Sequence, residues 1–143
     1  MAARIRWLSV KEVYAFHDLA LREHGGMPGL RDAGLLESVV LRPKTAYEYG
    51  TSDLAELTAK LAFGLVSNPA FFDGEKRTAL LASLTFLRLN GKKFTASESE
   101  IAAVLIDTAN HELSENELVH WFKERTEKLE AASVGPRRSE NER

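Results

Sequence analysis

The stretch Asn68-Pro69-Ala70-Phe71-Phe72-Asp73-Gly74-Glu75-Lys76-Arg77-Thr78-Ala79-Leu80 decides how the rest of the chain is read. A proline and two aromatics close one segment, and an Asp-Gly pair offers a tight turn. A basic pair then opens the apolar run Ala79 to Leu89, which Asn90-Gly91 ends. The pattern predicts a helix from about Gly74 to Asn90, with Asp73 as its N-cap and Gly74 in the turn. Ala79, Leu80, Ala82, Ser83, Leu84, Phe86 and Leu87 leave this helix apolar nearly all round, as expected of one surrounded by others. Its first turn carries N–H groups without intrahelical partners and the positive end of the helix dipole, and Lys76 and Arg77 add cations there. Two readings follow. One is an ordinary capped helix with solvated charges; the other is a site that holds an anion such as phosphate.

Helix signals flank this stretch on both sides. Ser9-Val10-Lys11-Glu12 fits a capping box, and the helix it opens should end at His24-Gly25-Gly26. Asp32 is a cap for a short helix that Pro43 should end, leaving Lys44 to Gly50, with Tyr47 and Tyr49, as an exposed loop or flap. Asp53-Leu54-Ala55-Glu56 opens a helix that runs to about Ser67. Beyond the central helix, Lys92-Lys93-Phe94-Thr95 reads as a connector or a short extended piece. Ser97 to Glu100 and Ser114 to Glu117 cap two further helices. No alternating run is strong enough to predict a sheet. The expected fold is all-α, a compact orthogonal bundle of about six helices around the central motif helix, occupying residues 1–131. Residues 132–143 turn polar and are expected to form a disordered tail.

Composition narrows the function classes. The 143 residues suit one domain, and 44% hydrophobic with 28% charged residues is a soluble globular balance. A formal charge of −2 gives no global footprint for nucleic acid, so direct DNA binding is not expected and an anion site must be local. No apolar run approaches the ~20 residues that span a bilayer, and Met1 to Trp7 carries no signal-peptide stretch. A cytoplasmic protein without membrane contact is the expectation. With no cysteine there is no thiolate nucleophile or cysteine metal site. His17, among apolar residues, reads as a satisfied core histidine. His24 precedes two glycines and suits carbonyl capping, and His111 and His120 lack metal spacing. Arg31 and Asp32 read either as a local pair or as part of a cleft wall.

The central stretch resembles the signature of the Fic/Doc family, more closely its Doc (death-on-curing) branch. Phe71, Asp73, Gly74, Lys76 and Arg77 match that pattern in register, and Thr78-Ala79-Leu80 continue it. His17-Asp18, Glu23-His24-Gly25-Gly26, Gly29-Leu30-Arg31-Asp32, Gly34 to Ser38 and Leu87 to Gly91 extend the likeness over roughly residues 10–125. Two positions depart: Pro69 stands where the family has its catalytic histidine, and Glu75 where it has asparagine.

What the resemblance implies is a toxin of a type II toxin–antitoxin pair. The Doc branch is associated with transfer of the γ-phosphoryl group of ATP to a threonine of the translation factor elongation factor Tu. Lys76 occupies the position linked to that chemistry rather than to adenylylation. By resemblance, Gly74, Glu75, Lys76, Arg77 and Thr78 would line the nucleotide site. Arg77 and Lys76 would serve the transition state, and Asp73 would hold Mg2+. The partner implied is an antitoxin whose disordered tail folds over the cleft. Pro69 has no ionisable group with which to take a proton, and general-base loss typically costs ~10²–10⁴-fold. The carboxylate of Glu75 opposes phosphate, or pairs with Lys76, Arg77 or a distant arginine as a phosphate mimic. The chain therefore reads as an impaired phosphotransferase or, alternatively, as a non-catalytic binding module that keeps its antitoxin or target surface.

Overall fold

The structure, a computed structural model, describes residues 4–130. In chain order it contains α1 (Val10–His24), α2 (Ala33–Glu48), α3 (Leu54–Ser67), α4 (Glu75–Leu89), β1 (Lys92–Phe94), α5 (Glu98–Ala109), α6 (Glu115–Glu124) and β2 (Thr126–Lys128). Side chains start all but one of these helices. Ser9, Ser97 and Ser114 form reciprocal capping boxes with Glu12, Glu100 and Glu117. Asp32 accepts from the Leu35 N–H at 3.0 Å, and Asp53 from the Glu56 N–H at 3.1 Å. The exception is α4.

The motif helix shares the centre of the bundle with α3. That helix buries Ala55, Leu57, Thr58, Ala59, Leu61, Ala62, Gly64, Leu65 and Val66, and packs on α2, α4, α5 and α6. Small residues let its neighbours come close. A Cβ at Gly64 would lie 2.9 Å from Arg42 Cδ and 3.0 Å from Val39 Cγ1, so any side chain there would push α2 away. The close approach lets Arg42 reach across. Its Nη1 donates to the Lys60 carbonyl at 2.6 Å, and its Nη2 donates to both Glu115 oxygens at 3.0 and 2.9 Å. One guanidinium thus joins α2, α3 and α6. On the other side, α4 packs on α1, α5 and β1.

Pro43 does not end α2, which continues through it to Glu48. An interior proline costs roughly 3 kcal/mol in lost hydrogen bonding and crowding. Packing offsets that cost, because Pro43 is buried, Ala46 lies against the core, and the Tyr47 ring meets Trp7 edge-on at 5.5 Å. The expected flap is thereby reduced to the end of α2, where Tyr49 is exposed.

A short sheet is also present. The connector at 92–94 is β1, and it pairs antiparallel with β2 in the register Lys92↔Lys128, Lys93↔Glu127 and Phe94↔Thr126. The ladder returns the chain after α6 to the end of α4. The expected tail at 132–143 lies outside the described residues. No described helix is long and apolar enough to cross a membrane.

Two outcomes test this account. The Ser97 N–H, and then the Ser97 hydroxyl, hold the Glu100 carboxyl below its usual range, and Ser114 does the same for Glu117. A depressed folded-state value makes the ionised form the stabilising one. That contribution is full above the unfolded value of about 4.3 and disappears as pH falls through the lowered folded value. Glu100→Gln with Glu117→Gln should therefore flatten the Tm–pH profile below about pH 4.3, which acid titration with circular dichroism can read. Arg42→Ala removes the Lys60 and Glu115 bonds and should lower unfolding free energy by about 2 kcal/mol in urea denaturation.

Candidate functional site

The loop between α3 and α4 holds Pro69, Asp73 and Gly74, the first turn of α4 holds Glu75, Lys76, Arg77 and Thr78, and almost every residue of the loop is fixed from elsewhere. Phe71 is fully buried, and the imidazole of His17, itself 1% exposed, stacks on it with centroids 3.7 Å apart and planes 10° apart. His17 Nε2 lies 2.7 Å from the Asp73 carbonyl. A carbonyl only accepts, so that nitrogen carries the proton. His17 is the satisfied core histidine its apolar setting implies, and it serves the motif loop.

The loop between α1 and α2 supplies the other anchors. Leu30 makes an antiparallel bridge with Phe71. The N–H groups of Arg31 and Asp32 both donate to the Ala70 carbonyl, at 2.7 and 3.1 Å. Arg31 Nε donates to the Pro69 carbonyl at 3.1 Å, and its Nη2 donates to the same oxygen. The Met27 N–H donates to Asp73 Oδ2 at 2.8 Å. Arg31 is therefore a clamp on the motif loop, and Asp32 caps α2; they do not form a pair with one another. Nothing local in the sequence signals these contacts, since Arg31 and Pro69 stand 38 residues apart and Met27 and Asp73 46 apart.

Asp73 is not the N-cap of α4. Its carboxylate faces back to Met27, and the cap is Gly74, in the left-handed region at φ 86°, with no side-chain hydrogen bond. Glycine is favoured there by its backbone conformation. Its φ strains any L side chain, and a Cβ would lie 3.4 Å from the His17 ring. The first backbone bond of α4 runs from the Thr78 N–H to the Gly74 carbonyl at 2.9 Å, so the N–H groups of Glu75, Lys76 and Arg77 have no intrahelical acceptor. Thr78 itself is buried, with its hydroxyl on the Gly74 carbonyl at 2.7 Å, and it turns into the helix rather than toward an anion.

Carboxylates face both first-turn cations. Lys76 Nζ lies 3.9 Å from Glu75 Oε1, and Arg77 Nη2 lies 3.8 Å from Glu23 Oε1 at the end of α1. Arg77 Nε is buried without a hydrogen-bond partner. Glu23 is the contributor that sequence reading passed over. Lys76 and Arg77 border a narrow pocket of about 110 Å³ with Leu80, Ala102 and Ile106. A roomier cavity of about 400 Å³ lies away from the motif, among Trp7, Val40, Leu41, Pro43, Lys44 and Phe86, and its apolar walls do not suit phosphate.

The remaining histidines lie outside this arrangement. His24 is 3.9 Å from Glu23, His120 is 3.1 Å from Glu124 one turn away, and His111 sits in a turn at φ 63°. No metal-holding group of three His, Asp or Glu side chains occurs among the described residues.

Residues 7–87 match the description of the Fic/DOC family. The chain is 36% identical over 112 residues to the protein kinase doc of Escherichia phage P1, covering 77% of this chain and 87% of that protein. It is 43% identical over 75 residues to the toxin Doc of Mycolicibacterium smegmatis, covering 50% of this chain and 57% of that protein.

The anchoring of the loop makes His17 a test residue. Removing the ring leaves a void beside Phe71 and an unpaired Asp73 carbonyl, so His17→Ala should cost about 2–4 kcal/mol of stability. Chemical denaturation measures it, and a loss of only a few tenths of a kcal/mol would contradict the anchoring described above.

Proposed function

The chain belongs to the Fic/Doc family, and from that premise we propose that it is a Doc-like toxin partnered by an antitoxin. Its site is shaped for moving the γ-phosphoryl group of ATP onto a hydroxyl of a translation factor, elongation factor Tu being the target class the resemblance implies. Pro69 and Glu75 impair that transfer. The observation that carries the reading is the register of Asp73, Gly74, Lys76 and Arg77, folded as a left-handed glycine opening a helix whose first three N–H groups lack intrahelical acceptors.

The residues present fit part of what such chemistry needs. Asp73 Oδ2 takes the Met27 N–H, and Oδ1 has no partner among the described residues, which suits one carboxylate ligand for Mg2+. Bound magnesium supplies charge neutralisation at phosphate oxygens. The helix start and Lys76 suit phosphate oxygens, and Arg77 suits the charge that builds as the phosphoryl group moves. Glu75 does not fit. Its side chain is 17% exposed beside Lys76, where a carboxylate repels an incoming phosphate. Two unit charges ~4 Å apart at an effective dielectric near 20 interact by about 4 kcal/mol before screening reduces it.

A second reading is favoured by Pro69 itself. Its pyrrolidine accepts no proton, so a non-catalytic module that retains antitoxin or target binding is consistent with the same geometry. Turnover separates the two. In a transfer assay with labelled ATP and elongation factor Tu, Pro69→His with Glu75→Asn should raise the rate by about 10²-fold or more. A double variant as inert as the parent would favour the binding module. Glu75→Gln alone should tighten nucleotide binding by calorimetry without restoring transfer, and weaker or equal affinity would place its charge away from the phosphates.

A further inference from the structure

The contacts around residue 69 carry an assignment beyond the motif. We infer that Arg31 is a positioning residue for the transfer site, acting on residue 69 through its backbone and not through its side chain. This rests on the phosphotransfer reading given above, in which residue 69 is where a target hydroxyl's proton would be taken.

The geometry is specific. Arg31 Nε and Nη2 both donate to the Pro69 carbonyl, so a charged, planar group spans one acceptor with two donors. Such charge-assisted, forked bonds fix direction as well as distance. The Arg31 N–H then takes the next carbonyl, that of Ala70, at 2.7 Å. Leu30 bridges Phe71, whose ring rests on His17. Residues 69, 70 and 71 are thus gripped in sequence by residues 30–32. Arg31 makes no ion pair within 4.0 Å of a described carboxylate, and among the described residues its side-chain bonds are spent on this one carbonyl.

Two consequences follow. The clamp is indifferent to whether residue 69 is proline or histidine, since each offers the same carbonyl. An imidazole placed at 69 would depend on Arg31 for its aim, because proton transfer requires hydrogen-bond reach and small displacements of a reacting group are costly. Lysine at 31 would be a partial substitute, with the charge but only a single flexible donor group in place of the fork.

The test uses the full chain carrying Pro69→His and Glu75→Asn, with Arg31 native, Arg31→Lys or Arg31→Gln. In the transfer assay, Arg31→Gln should lower kcat by about ten- to a hundredfold with the KM for ATP within twofold, and Arg31→Lys should recover part of the loss. Hydrogen exchange provides a readout that does not need turnover. Arg31→Gln should speed exchange of the Phe71 to Gly74 amides at least tenfold and leave those of Leu80 to Leu87 unchanged. Loop exchange that does not change overturns the inference whether or not phosphate moves. A KM rise equal to the kcat loss also overturns it, since that is what general loosening of the site produces. Faster loop exchange with no transfer in any variant, native Arg31 included, overturns the phosphotransfer reading and, with it, the catalytic sense of the assignment.

Discussion

The stack of His17 on Phe71, with the imidazole N–H on the Asp73 carbonyl, joins the first helix to the loop that launches the fourth. His17 is withdrawn from water, so its ring N–H needs a protein acceptor, and the Asp73 carbonyl supplies it. The stack also sets the wall against which Gly74 turns. Because the chain must pass the imidazole at close range with positive φ, the helix that follows begins without a side-chain cap. A side-chain cap is typically worth about 1 kcal/mol. The bundle forgoes it at α4 alone, the helix whose bare N–H groups are the basis of the functional reading.

That opening is electrostatically crowded. Glu75, Lys76, Arg77 and Glu23 bring two negative and two positive groups to one helical turn. None of the distances is short enough for a strong ion pair, and exposed pairs of this sort contribute little to stability. Their effect is on occupancy. Any anion arriving at the three N–H groups meets cations that already have neighbours of opposite charge, and one of those neighbours, Glu75, has no counterpart in the family pattern.

The sequence was informative where structure depends on neighbours along the chain. Capping residues at Ser9, Asp32, Asp53, Ser97 and Ser114 act over three positions, and each begins the helix it announces. The apolar run after Arg77 likewise marks a buried helix correctly. Local rules misled where distant packing decides. Pro43 ends a helix by any local rule, yet burial carries α2 past it. Thr126-Glu127-Lys128 has no strand character and becomes β2 because β1 is there to pair with it. Asp73 looks like a cap but answers to Met27, 46 residues away. In the site, the motif residues were legible from their register, whereas Glu23, Met27 and the Arg31 clamp were not, because only the fold brings them there.

The clamp on the motif loop is made almost wholly to main-chain oxygens: those of Pro69, Ala70 and Asp73. Every residue type carries that oxygen. A loop held this way keeps its shape while the side chains that do chemistry are exchanged, so selection on activity and selection on folding act on separate atoms. A side-chain exchange at residue 69 that keeps the backbone path leaves these anchoring bonds in place, so the loop's folding does not depend on which side chain stands there.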